Sequence, residues 1–174
     1  MNYDKYYNLE TYLFDEVGPR FRKEGIIHPL DFYFILTWKA NRSKNKAKER
    51  LKGIADGSFK SSVHRISRAL SSSTSSVEKL RLLMKDWGFR LPTATAILTV
   101  LYPDEFTVYD VRVCNSLKAF HRLESRRFTE KLWGDYLNFK AAVERAGPKN
   151  LSLRNKDRYL WGKSLYEQSS TDIG

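Results

Sequence analysis

The sequence predicts an all-α fold, and three observations carry that prediction. Apolar residues recur at helical spacing along nearly the whole chain. Proline stands near the starts of the apolar segments, and glycine or a Gly-Pro pair stands where they end. No segment alternates apolar and polar residues long enough to require a sheet; TVYDVRV reads like a strand, but it has no second strand to pair with.

In chain order, Leu9, Tyr12, Leu13 and Val17 mark a first helix, which Gly18-Pro19 is expected to end. HPLDFYFILTWKA opens on a proline and keeps a dense apolar face through Trp38. After a basic turn, AKERLKGIADG reads as a short helix stopped by glycine, and VHRISRAL as another. SSSTSSVEKLRLLMKDWG has a serine-rich entry, Glu78 early in the helix and a stop at Gly88. After Pro92, TATAILTVLY is a short helix with small residues on one side, closed by Pro103-Asp104. VRVCNSLKAF begins directly behind Asp110. TEKLWGDYLNFKAAVERAG and LSLRNKDRYLWGKSLYEQ are two longer final helices, after which SSTDIG is expected to fray.

At 174 residues the chain is long enough for one domain with a real core, and 41% hydrophobic residues exclude a disordered chain. It has no apolar run of about 18 residues, so no membrane span is expected. The polar, acidic start MNYDKYYNLE does not resemble a signal peptide. A lone cysteine, Cys114, excludes an intrachain disulfide and any four-cysteine metal or iron–sulfur site. His28, His64 and His121 are scattered without metal spacing, so neither metal nor other cofactor is expected. The expected setting is a monomer in the reducing cytoplasm, nucleoid-associated when bound to DNA.

Charge is the strongest compositional feature. Lys and Arg number 31 against 20 Asp and Glu, a net charge of +11. That balance favours a polyanion such as nucleic acid, although an anionic membrane surface attracts it too. The segment KANRSKNKAKERLK, residues 39–52, is basic apart from Glu49. A solvated helix face is one reading of it. A phosphate-contacting surface is the other, and counterion release favours that one.

Over residues 73–117 the order is helix, short glycine-containing hairpin, helix, turn, acid, helix. The hairpin is Asp86-Trp87-Gly88-Phe89-Arg90, Pro92 and the pair Thr93-Ala94 follow it, and Asp110 stands before the next helix. This order resembles the helix-hairpin-helix DNA glycosylase superfamily, without the iron–sulfur module of some members. The likeness covers roughly residues 30–117 and is strongest over 88–117; ILTWKANRSKNKA resembles the family's passage from a buried helix into a DNA-contacting loop. It implies a single compact unit over residues 1–174 with two lobes. The hairpin core would span about 73–117, and the N-terminal helices with residues 127–168 would form the other lobe.

By itself Asp110 reads as a helix N-cap. The resemblance implies that the same carboxylate stabilises positive charge on the deoxyribose as the base departs, and orients or deprotonates the attacking water. It also implies DNA contacts at Gly88, Phe89, Arg90 and Thr93, and at Lys39, Arg42, Lys44 and Arg112. Arg112 reads equally well as a salt-bridge partner of the acid. Trp38, Tyr109 and Trp161 are the base-pocket candidates, with a plain core role as the other reading of the tryptophans. Two departures from the family pattern matter. Arg90 stands where the family often has a second glycine, and Pro92 stands where bifunctional members carry a nucleophilic lysine. Proline has no amine, so the resemblance implies a monofunctional glycosylase that leaves an abasic site; the spacing of Lys39 gives no argument for lyase chemistry. The partner implied is duplex DNA bearing a damaged or modified base, which must leave the stack before it reacts. The alternative is a non-catalytic helix-hairpin-helix protein that binds DNA by its phosphates.

Overall fold

The computed structural model describes residues 3–55 and 57–173. Met1, Asn2, Asp56 and Gly174 lie outside the described residues, so the first two positions of MNYDKYYNLE, the aspartate of IADG and the last residue of SSTDIG have no structural counterpart here. Among the described residues there is no strand. The helices are α1 (Leu9–Tyr12), α2 (Gly18–Glu24), α3 (Pro29–Ala40), α4 (Lys44–Ile54), α5 (Phe59–Ser72), α6 (Ser76–Arg81), α7 (Leu91–Leu101), α8 (Val111–Leu117), α9 (Glu130–Ala146) and α10 (Leu153–Ile173).

Cap chemistry places most of these boundaries, and the sequence names part of it: the serine-rich entry of α6, the prolines of α3 and α7, and Asp110 before α8. Ser58, Ser75 and Thr129 accept bonds from the backbone N–H three residues on, at the starts of α5, α6 and α9. Pro29 and Pro92 occupy first-turn positions of α3 and α7, where a missing N–H costs nothing.

Gly18-Pro19 does not end the first helix. The chain widens through a π-helical turn, Leu13–Val17, and continues into α2 with Pro19 in its first turn. Glycine is required there by proximity instead: a Cβ at Gly18 would lie 2.3 Å from the Val100 carbonyl oxygen. Two other boundaries move as well. The helix behind Asp110 stops at Leu117, because Lys118 and Phe120 take positive φ values of 53° and 70°. The C-terminal helix runs on to Ile173 rather than fraying, with the Thr171 hydroxyl donating to the Glu167 carbonyl inside it.

Helix α7 organises the packing. It is apolar all round, and every residue from Ala94 to Leu101 is buried. Its buried Thr95 and Thr99 hydroxyls donate back to the carbonyls of Leu91 and Thr95. On one side α7 packs against α2 and α3, and α3 also packs on α4 and α5; elsewhere α10 packs on α8 and α9. One buried cluster joins these groups, from Leu13, Phe32 and Ile35 through Ile97 and Leu101 to Val113, Phe139 and Leu160. The seam of α2 against α7 has no room to spare. Gly18→Ala is therefore expected to destabilise the protein by about 1–3 kcal/mol, the usual range for overpacking, read from urea denaturation midpoints.

Candidate active site

Between α7 and α8 the chain crosses the interior as a segment that is neither helix nor strand, residues 106–110, and residues 106–109 are buried. Buried backbone groups need partners, and side chains supply them. The Tyr136 phenol of α9 accepts from Thr107 N at 3.0 Å and donates to Thr107 O at 2.9 Å. The Asp157 carboxylate of α10 accepts from the Thr107 hydroxyl at 3.0 Å and from Val108 N at 3.3 Å. Thr95 of α7 accepts from Tyr109 N at 3.0 Å. Three helices thus clamp the segment that ends at Asp110.

Asp110 caps α8, as its local sequence suggests: Oδ1 accepts from Arg112 N at 2.9 Å. Its other oxygen has a separate partner. Lys39, in the last turn of α3, donates from Nζ to Asp110 Oδ2 at 2.5 Å. The two side chains are only 12% and 22% exposed. They line a cleft of about 590 Å³ together with Trp38, Val108, Val113 and Trp161. A cavity of that size is within the range of small-ligand sites, but its lining is more charged than is usual for them, with Glu10, Arg154, Asp157 and Arg158 completing it.

The cleft lining also includes a charged network that sequence reading missed. Arg154 pairs with Asp157, and also with Glu10 of α1 at 2.5 Å; Arg158 reaches the same Glu10 at 3.1 Å. The Arg154 guanidinium also lies 4.6 Å from the Phe14 ring centroid and 5.4 Å from that of Trp38. One signal pointed there: Asp157 shares a helical face with Leu153, Leu160 and Ser164, an acid at a buried position. Burial pushes the Asp157 carboxyl up to about 6, against the opposing pull of Arg154 and the bonds from Val108 and Thr107.

The expected base-pocket residues divide. Trp38 and Trp161 line the cleft; Trp38 is half-buried against Phe14, and Trp161 is 40% exposed beneath the Arg112 guanidinium. Tyr109 does not line it. Its ring is in the core against Phe139, and its hydroxyl donates to Phe120 O and accepts from Leu123 N, fastening the turn after α8. Arg112 offers Asp110 only its backbone N–H, while its guanidinium reaches Trp161 and Gln168.

At the hairpin, Gly88 has φ +64° and is exposed, as is Arg90. Phe89 departs from expectation. Its ring is buried against Phe32, and its N–H is taken by Leu83 O, so it has neither ring nor amide to offer a phosphate. Thr93 is half-buried with its N–H donated to Arg90 O. Arg42 is exposed in the turn after α3, where Lys44 donates to Asn41 O at 3.4 Å. The basic stretch also reaches the hairpin from α4. The Arg50 guanidinium lies 5.1 Å from the Phe89 ring centroid, and its Nε would lie 3.6 Å from a Cβ on Gly88. Among the described residues no group of three or more His, Cys, Asp or Glu is arranged to hold a metal ion, and no helix is long and apolar enough to cross a membrane.

Comparison with protein-family models, curated proteins and solved structures finds no match to this chain.

The buried acid makes a pH prediction. Its folded value lies above its ordinary 3.8, so the folded state holds the proton more tightly than the unfolded chain. The stability contributed by Asp157 is thus complete below pH 4 and is lost as pH rises through about 6, by up to about 3 kcal/mol. Urea titrations of the wild type and Asp157→Asn across that range should show the wild type losing stability relative to the variant as pH rises. A constant difference would count against it.

Proposed function

We propose that the chain is a monofunctional DNA glycosylase, hydrolysing the N-glycosidic bond of a damaged or modified base flipped out of duplex DNA. The observation that carries this reading is a mostly buried carboxylate, Asp110, held at the edge of a tryptophan-lined cleft on a chain of net charge +11. The extruded base enters between Trp38 and Trp161, which offer aromatic faces. Asp110 Oδ2 then faces the sugar. It stabilises the positive charge that grows on the deoxyribose and takes the proton of the water that attacks C1′, and the base leaves an abasic site behind. Pro92 contributes no amine to this step.

DNA is held through the helix-hairpin-helix element, with the glycosylase acting as a monomer inside the cell. The basic stretch supports this footprint, because it begins in the cleft at Lys39 and reaches the hairpin at Arg50. Phosphates docked there would meet Arg50, Arg90 and the open backbone at Gly88.

The decisive assay incubates the protein with duplexes carrying alkylated, deaminated, oxidised and bulky virus-type bases, and reads free base by mass spectrometry. Asp110→Asn preserves a good cap but leaves the Lys39 ammonium without its carboxylate. It should cost about 1–3 kcal/mol of stability and still fold, while base release should fall by about 10² or more. Base release that survives the substitution, or tight binding with no release from any duplex, would leave a DNA-binding protein whose aspartate only caps. Binding itself has a second readout. Arg50→Ala and Arg90→Ala should each lower the slope of log affinity against log salt by about one, measured by fluorescence anisotropy. Unchanged slopes would remove the hairpin from the interface.

A further inference from the structure

We propose that the exposed side of α5 is a second phosphate-binding surface, which holds duplex DNA running on from the hairpin. It rests on the DNA-binding half of the reading above and not on its chemistry.

Helix α5, FKSSVHRISRALSS, contains no acid. Its apolar side is committed to the core, with Val63, Ile66 and Leu70 fully buried. Lys60, His64 and Arg68 share the exposed side at intervals of four residues, about 6 Å apart along the axis. Arg65 stands beside them, also exposed. A surface groove on this side is lined by Ser58, Ser61 and the four basic residues, with neither an apolar nor an acidic side chain among them. Such a lining suits a polyanion and has nothing to offer an apolar ligand.

Other surface cations are paired: Lys52 with Glu49, Arg81 with Glu78, and Arg126 with Asp135. Among the described residues, the four basic side chains of α5 make no ion pair. Arg65 and Arg68, three positions apart, repel one another with no acid on the helix to offset it. The helix dipole adds to the positive potential at the Lys60 end. A row kept bare in this way is matched by a partner that brings its own negative charge.

Position decides which partner that is. The Arg65 guanidinium lies 5.6 Å from the ring centroid of Trp87, which is buried within the hairpin stretch directly before Gly88. Helix α5 also packs on the turn Leu82–Asp86 that leads into the hairpin, and Asp86 is turned to Arg81 rather than to the row. A duplex seated at Gly88 and Arg90 therefore continues onto α5 through Arg65. There the row meets several phosphates at once, and each contact releases counterions. Phosphate contacts carry no sequence information, so the surface serves undamaged duplex as well as modified.

The test measures log affinity against log salt by fluorescence anisotropy with an unmodified duplex, so that base release plays no part. Lys60→Gln/Arg68→Gln should lower the slope by about two, and adding Arg90→Ala should lower it by about one more. Both α5 positions are exposed and their side chains unpaired, so the variant should melt with wild type. Lys131→Gln/Lys149→Gln makes the same charge change near the two ends of α9, which packs on α8 and α10, and should leave the slope unaltered. An unaltered slope in Lys60→Gln/Arg68→Gln, or an equal fall in the α9 variant, would overturn the proposal. So would an α5 variant that keeps its DNA slope but loses wild-type binding to phosphatidylserine vesicles, which would assign the row to a membrane surface. The two readings fail separately. An unaltered slope with base release intact removes only the α5 surface, and a lowered slope with no base release from any duplex removes only the glycosylase.

Discussion

The constraint on which the site depends is the need to satisfy buried backbone in a segment that has no secondary structure. Residues 106–109 cross the interior of a helical fold, and no strand among the described residues offers a ladder of partners. Each orphan amide costs on the order of 1–3 kcal/mol if left unpaired, so the fold answers with polar side chains at buried helix positions. Thr95, Tyr136 and Asp157 are those side chains, one from each of three helices. Their bonds make the path of this segment a consequence of how α7, α9 and α10 pack. Asp110, the next residue, inherits that fixed position.

The same economy governs charge in the cleft. Six ionisable side chains line it: Glu10, Asp110 and Asp157, and Lys39, Arg154 and Arg158. They are arranged as connected pairs rather than isolated ions, which partial burial requires. The two sets differ in kind. Arg154 is held by two carboxylates and two aromatic rings, an arrangement that fixes a wall. Lys39 and Asp110 form a single ion pair at the cleft wall, with the other carboxylate oxygen taken by the backbone of α8.

Much of the fold was legible because it rests on local rules. The serine-rich entry of α6, proline in first turns and the 3.6-residue apolar period locate most helices from α3 to α10, while the caps Ser58 and Thr129 went unread. Gly18-Pro19 misled for a physical reason: the stop signal is local, whereas the glycine answers a carbonyl of α7 more than 80 positions away, and a π turn lets the helix continue past the proline. At the site, the sequence singles out Asp110, Trp38, Lys39 and Trp161, and the structure brings all four to one cleft. That Lys39 touches Asp110 was not legible, because the contact depends on α3 packing across α7. Tyr109 and Phe89 were misjudged because neighbours in sequence need not share exposure. Each sits beside a functional candidate and turns its ring into the core.

Capping a helix and presenting a carboxylate to the cleft are compatible at Asp110, and its two oxygens show how. Capping needs one acceptor directed at the first free N–H groups of α8, and Oδ1 supplies it to Arg112 N. That bond sets the rotation of the carboxylate, so Oδ2 is aimed away from the helix axis and toward Lys39. A carboxylate held in this way loses little orientational freedom when a substrate arrives, which is the condition for effective electrostatic stabilisation. The cap is therefore part of the positioning: the backbone of α8 secures the first oxygen, and the second meets the Lys39 ammonium at the wall of the cleft.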